Sequence, residues 1–220
     1  MTLHPAPGIR HPASIRNIIF DFGGVICDLD IDLTKKKFNE FGPPKDSANV
    51  TPEEAGKAFG LLVEALETGR ISPAGFRNSI RDHYLRPPSD RTIDDAWNAL
   101  LGDIPEHRIR LLEKIRGNYR IFLLSNSNKI HYDHYLKRFN EKFGYEDFDA
   151  VFEKAWFSFN IGMKKPDREI FEFVLAQHNI APNETLFIDD TIMHVEGAAA
   201  TGIVGYHLKP GEDISALFTH

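Results

Sequence analysis

Five stretches of the chain are predominantly apolar, and most of them end on polar residues. Ile15 to Phe22 reads IRNIIFDF and is closed by Gly23-Gly24, while Arg120 to Ser125 reads RIFLLS. Thr185 to Asp189 reads TLFID, Ile203 to His207 reads IVGYH, and a fifth stretch, Ala155 to Phe159, reads AWFSF. These runs are continuous rather than alternating, the pattern of strands covered on both faces. Between the later ones the period changes to that of a helix. Pro105 to Arg116 spaces Ile109, Leu112 and Ile115 at three-residue intervals, and Pro166 to His178 gathers Ile170, Phe171, Val174 and Leu175 on one face. Val195 to Thr201 is alanine-rich and is followed by Gly202, a residue suited to a helix end. Strands alternating with helices predict an α/β fold with a parallel sheet.

The stretch from Asp32 to Asp103 breaks this rhythm. Phe59, Leu62, Val63 and Leu66 recur at i, i+3, i+4 and i+7; Phe76 and Ile80 are a turn apart, as are Trp97, Leu100 and Leu101. Breaks fall at Gly42-Pro43-Pro44, Gly69 and Pro87-Pro88. The pattern predicts a small helical bundle inserted between the first strand and the rest of the sheet.

Composition narrows the function. The chain has 220 residues, enough for one good core with a smaller unit attached. Its formal net charge is −6 and its cations form no basic stripe, which argues against nucleic acid as a partner. Cys27 is the single cysteine, so no disulfide forms within the chain; this fits a cytoplasmic location. The apolar runs are too short to span a membrane. Residues 1–14, rich in Pro and His and without an apolar core, read as a flexible tail rather than a signal peptide.

Chemistry concentrates at the strand ends. The first strand ends at Asp21, the second at Ser125-Asn126, and the fourth at Asp189-Asp190; Lys165 stands before Pro166, which biases it to an extended backbone. In an open parallel sheet ligands bind beyond the carboxyl ends of the strands. If the strands are neighbours, carboxylates, a hydroxyl and an ammonium converge there, a set suited to phosphate and a metal ion.

The order Asp21 in IIFDFGGV, Ser125 in LLSNSN, Lys165 in GMKKPDREIF and Asp189-Asp190 in FIDD resembles the four motifs of the haloacid dehalogenase superfamily, over almost the whole chain after residue 14. ETGRIS (Glu67 to Ser72), together with DFGGV, is similar to the subgroup containing glucose-1-phosphate phosphatases. The resemblance implies a three-layer, Rossmann-like core over residues 15–31 and 104–220 and a helical cap over residues 32–103. It implies a magnesium-dependent phosphatase acting on a small phosphorylated metabolite, with a sugar phosphate as a candidate, as a monomer or homodimer. Asp21 would attack phosphorus and carry an aspartyl-phosphate. Lys165 would neutralise charge there, and Ser125 with the Asn126 backbone would hold phosphate oxygens. Asp21, the Gly23 carbonyl and Asp190 would bind Mg2+, with Asp189 supporting them from behind.

Two positions depart from the superfamily. Many of its phosphatases carry an Asp general acid two places after the nucleophile, where this chain has Gly23. His194 stands where relatives often have Asn or Asp. Two alternatives therefore remain at this level: a metal-independent 2-haloacid dehalogenase, and a catalytically weak phosphate-binding or regulatory protein. Among the other residues, His131 and His134 read as an exposed helical face, Cys27 as packing, and Phe59 and Trp97 as core of the bundle. Glu67 reads equally as a surface residue or as one reaching the substrate from the cap. Neither a GxxxxGK[ST] loop nor a GxSxG elbow occurs.

Overall fold

The computed structural model describes residues 14–45 and 50–218. The predicted tail, apart from Ser14, lies outside them. Strands β1 (Asn17–Phe20), β2 (Arg120–Ser125), β3 (Lys154–Phe157), β4 (Thr185–Asp189) and β5 (Val204–His207) form a parallel sheet in the order β3-β2-β1-β4-β5. Alternate residues of the central strands enter two separate hydrophobic clusters. Ile18, Phe20, Ile121, Leu123, Leu186 and Ile188 face one way; Ile19, Phe122, Leu124 and Phe187 face the other. Both faces are buried, which is why these strands read as unbroken apolar runs.

Helices cover both faces and complete three layers. On the first face pack α5 (Glu106–Ile115), through Ile109, Leu112 and Ile115, and α6 (Lys129–Phe143), through Tyr135 and Phe139. On the second pack α8 (Arg168–His178), through Ile170, Phe171 and Val174, and α9 (Ile192–Ala199), through Ala198. The expected elements are present with shifted ends. α9 begins three residues earlier than the alanine-rich pattern suggests, and the AWFSF segment leaves the sheet at Phe157 to form the short helix α7 (Ser158–Ile161). Among the described residues, no helix is long and apolar enough to cross a membrane.

Between β1 and β2 the chain forms α1 (Ile31–Asn39), α2 (Pro52–Glu67), α3 (Pro73–His83) and α4 (Asp90–Asn98). Polar caps set all four of these starts, and at α1 the Asp30 side chain accepts from the Leu33 N–H at 2.8 Å. Thr51, Ser72 and Ser89 each accept a hydrogen bond from the backbone N–H three residues on, and Pro52 and Pro73 occupy the first helical turn. Leu66, Phe76, Ile80, Ile93 and Trp97 make a separate core there. Phe59 meets the Trp97 ring edge-on at 6.0 Å yet stays 38% exposed, so of the two aromatics expected in this core only Trp97 is buried. The segments entering and leaving the helices run side by side. Asp28 N–H donates to the Asp103 carbonyl, and Gly102 N–H and Asp30 N–H complete the pairing with Asp28 and Leu100. Gly102 has no room for a side chain, because a Cβ would lie 2.8 Å from the Asp28 carbonyl oxygen.

His131 corrects the expectation of an exposed histidine face. It is buried, and its ring stacks on Trp97 at 4.7 Å. Its Nε2 lies 3.1 Å from the Trp97 carbonyl oxygen and its Nδ1 3.1 Å from the Asn128 amide. α6 joins the sheet core to the helical segment on this face, and a polar residue with both nitrogens partnered can be buried there. Burial pulls the His131 pKa down to about 4. The unfolded chain therefore takes up a proton at His131 below its ordinary 6.5, and the folded chain resists until about 4. His131 stabilises the fold fully above pH 6.5, and that contribution fades as pH falls toward 4, by roughly 3 kcal/mol at most. Urea melts at pH 7 and pH 5 should show a loss of stability that His131→Gln, which has no titrating ring, reduces; an equal loss in both proteins would contradict the assignment.

Candidate functional site

The sheet brings the polar strand ends together. Phe20 of β1 lies opposite Leu123 of β2 and Ile188 of β4, so Asp21 and Asp189 emerge as neighbours with Ser125 on the other side. Asp21 N–H donates to the Ile188 carbonyl at 2.9 Å, continuing the ladder. Lys165, from the loop between α7 and α8, enters from the side. Its Nζ donates to Asp21 Oδ1 at 2.6 Å and to Asp189 Oδ2 at 2.7 Å, with the side chain wholly buried. The Phe187 ring lies 5.3 Å from the ammonium.

Each group's charge follows from what surrounds it. Burial opposes the Lys165 ammonium, but Asp21 and Asp189 outweigh it and raise the pKa. Asp189 is buried too, yet Lys165 and His194 hold its carboxyl down at about 2. Asp21 is pushed up to about 7, because its burial exceeds the pull of Lys165 and the Asp189 charge adds to it. Asp190 is also raised, first by burial and then by Asp189. Three carboxylates thus share one ammonium, and a further cation would relieve them.

The SNSN segment after β2 uses each residue differently. Ser125 is buried at the sheet edge and its hydroxyl makes only a long 3.5 Å contact to the Asn126 carbonyl. The Asn126 side chain grips the backbone of Lys165, donating to its carbonyl and accepting from its N–H, both at 2.9 Å. Ser127 exchanges hydrogen bonds with Ser158 and meets the Tyr135 hydroxyl. Asn128 caps α6 and accepts from the Trp97 indole at 3.3 Å. The grip of Asn126 on Lys165 was not legible in the motif, since the two residues are 39 positions apart.

Asp21, Asp189 and Asp190 offer carboxylate oxygens within 4.8 Å of one another, the only such trio of metal-ligating side chains among the described residues. Asp189 is spent on Lys165, His194 and the Thr191 N–H. Asp21, Asp190 and the Gly23 carbonyl, which accepts no hydrogen bond among the described residues, form the oxygen set that suits a hard divalent cation. Gly24 makes that set possible. It has φ +73°, and a Cβ there would overlap the Asp190 Oδ2 atom. At Gly23 a Cβ would lie 3.1 Å from Leu29, so the leucine fills the direction an acid at this position would take.

His194 is positioned rather than loose: its Nδ1 lies 3.1 Å from both oxygens of Asp189, behind the lysine. Glu67, at the end of α2, is half-buried, and its carboxyl is pushed up to about 7 by burial against the pull of Lys164, Lys165 and His194. Cys27 is buried packing, its thiol pushed up to about 12 by burial. His134 has no place in the carboxylate trio. Gly24→Ala should cost about 1–3 kcal/mol in a urea melt, from the clash and the left-handed backbone together. A variant as stable as the parent would show that Asp190 moves aside freely.

Three comparisons bear on this arrangement. A family profile described as haloacid dehalogenase-like hydrolase matches residues 15–202. A crystal structure of a HAD family enzyme from Bacteroides thetaiotaomicron, solved with magnesium and inorganic phosphate, is 37% identical, with a TM-score of 0.79 over 93% of this chain and 100% of that one. D-ribitol-5-phosphate phosphatase of the same species is 27% identical across 90% of this chain and 94% of its own length. A sesquiterpene phosphatase of Aspergillus oryzae is 28% identical across 86% and 88%. With the profile spanning most of the chain and the buried Lys165 joining all four motifs, the protein belongs to the haloacid dehalogenase-like hydrolases.

Proposed function

We propose that the protein is a magnesium-dependent phosphatase that hydrolyses a small phosphate monoester through an aspartyl-phosphate on Asp21. The observation that carries this is the buried Asp21–Lys165–Asp189 triad beside Asp190, with Gly24 left bare for the Asp190 carboxylate. Asp21 is the attacking oxygen, held at the sheet edge by its backbone bond to Ile188. Lys165 keeps Asp21 oriented and offsets the negative charge of the incoming phosphoryl group. The Ser125 hydroxyl and the Asn126 N–H receive phosphate oxygens, while the Asn126 side chain fixes Lys165. Asp21, the Gly23 carbonyl and Asp190 would hold Mg2+, which when bound neutralises the phosphate and draws it to the carboxylate. Asp189 and His194 keep the lysine in place rather than touching substrate. The magnesium and phosphate bound by the Bacteroides relative support this reading.

The helices over residues 32–103 act in this reading as a cap that excludes water and selects the alcohol. The relatives named for ribitol phosphate and for a sesquiterpene differ widely in that alcohol, so the proposed substrate class is a small phosphate monoester, with sugar and polyol phosphates the first to screen.

Hydrolysis of p-nitrophenyl phosphate should require Mg2+, stop with chelator, and fall at least about a thousandfold in Asp21→Asn, the scale of losing a nucleophile. Turnover of a 2-haloacid that persists in chelator would instead establish the dehalogenase reading. Phosphate binding without turnover of any ester would leave a binding protein.

A further inference from the structure

We propose that Glu67 is the general acid and base of this site, delivering from the inserted helices the proton transfer that Gly23 cannot supply. The inference rests on the phosphatase reading. Position 23 has no ionisable group, and Leu29 occupies the space beside it. Glu67 is the last residue of α2, and that end of the helix is tied to the sheet domain at two points. Glu64, one turn earlier, pairs with Lys164 at 3.5 Å. Gly69, two residues later, lies so close to α7 that a Cβ would sit 2.6 Å from the Phe159 carbonyl oxygen. The ties bracket Glu67 and hold it beside the loop that carries Lys165.

The Glu67 carboxylate is half-buried and makes no hydrogen bond among the described residues. The charged groups that act on it are Lys164 and Lys165 of the loop before α8, His194 of α9, and Glu64 of its own helix. Lys165 pairs with Asp21 and His194 meets Asp189, and both act on Glu67, so its carboxyl lies on the Lys165 side of the site. A carboxyl that is half-protonated near pH 7 can give a proton and take it back, which a surface glutamate does poorly.

The steps balance. An Asp21 oxygen bonds to phosphorus as the ester P–O bond breaks, and the electron pair goes to the leaving oxygen. That oxygen takes the Glu67 proton and departs as an alcohol. The Glu67 carboxylate then removes a proton from water, whose oxygen bonds to phosphorus as the bond to Asp21 breaks. Inorganic phosphate leaves, and both carboxyls return to their starting states.

The test uses the full chain with Mg2+ and two probes, phenyl phosphate and p-nitrophenyl phosphate, whose leaving groups differ in their need for a proton. Glu67→Gln should lower kcat/KM for phenyl phosphate by about a hundredfold. With p-nitrophenyl phosphate the same variant should release a burst of about one equivalent of nitrophenolate and then turn over slowly, because the phosphoenzyme lacks its base. The parent's kcat/KM for phenyl phosphate should decline on the alkaline side, and the variant should lose that limb. Should Glu67→Gln melt early, Glu67→Asp carries the test and should retain the limb at a reduced rate. Equal losses of kcat/KM on both esters with no burst, or a raised KM with the alkaline limb intact, would overturn the proposal and leave Glu67 a binding residue. Failure of the parent itself on both esters would instead bring down the phosphatase reading, before any variant is compared.

Discussion

A lysine ammonium with no exposure to solvent sits between two carboxylates at the end of the sheet, and the site is arranged around it. Burying such a charge costs several kcal/mol unless partners surround it. Lys165 has them on two sides, from Asp21 of β1 and Asp189 of β4. The partners meet only because β1 and β4 are parallel neighbours in the register that sets Phe20 against Ile188. A slip of one residue would turn one carboxylate to the opposite face and leave the buried ammonium with half its partners. The pairing therefore ties the register of the sheet to the chemistry of its edge.

The supports of that lysine reach outward in layers. Asn126 fastens its backbone, His194 and the Thr191 N–H hold Asp189 from behind, and Gly24 leaves room for Asp190. Rigid placement of this kind favours a reaction in which charge moves while the protein does not. The single ammonium cannot balance three carboxylates, and this imbalance is what makes the site attractive to a cation.

The inserted helices are joined to the sheet domain by contacts of two characters. At α6, Trp97 stacks on His131 and its indole donates to Asn128, a buried joint whose polar atoms are satisfied. At the end of α2 the tie is an ion pair between half-exposed side chains, Glu64 and Lys164, which salt screens and which contributes little to stability.

The sequence by itself determined the sheet and its reactive edge. Continuous apolar runs ending in Asp21, Ser125 and Asp189 required strands buried on both faces, and local chain direction carried those residues to one end. It also marked the helical insertion, because Leu66, Phe76 and Trp97 follow helical spacing. Only the tertiary structure decided which side chains meet across long separations. The buried stripe of α6 includes a histidine, which hydropathy alone places in solvent, and its partner Trp97 belongs to another helix. Asn126 reads as a turn residue until Lys165 is folded against it. Glu67 reads as one acid among many until α2 is set down beside Lys164 and Lys165. Periodicity is written between neighbours in the chain, whereas a group's partner and protonation depend on the surface it is folded against.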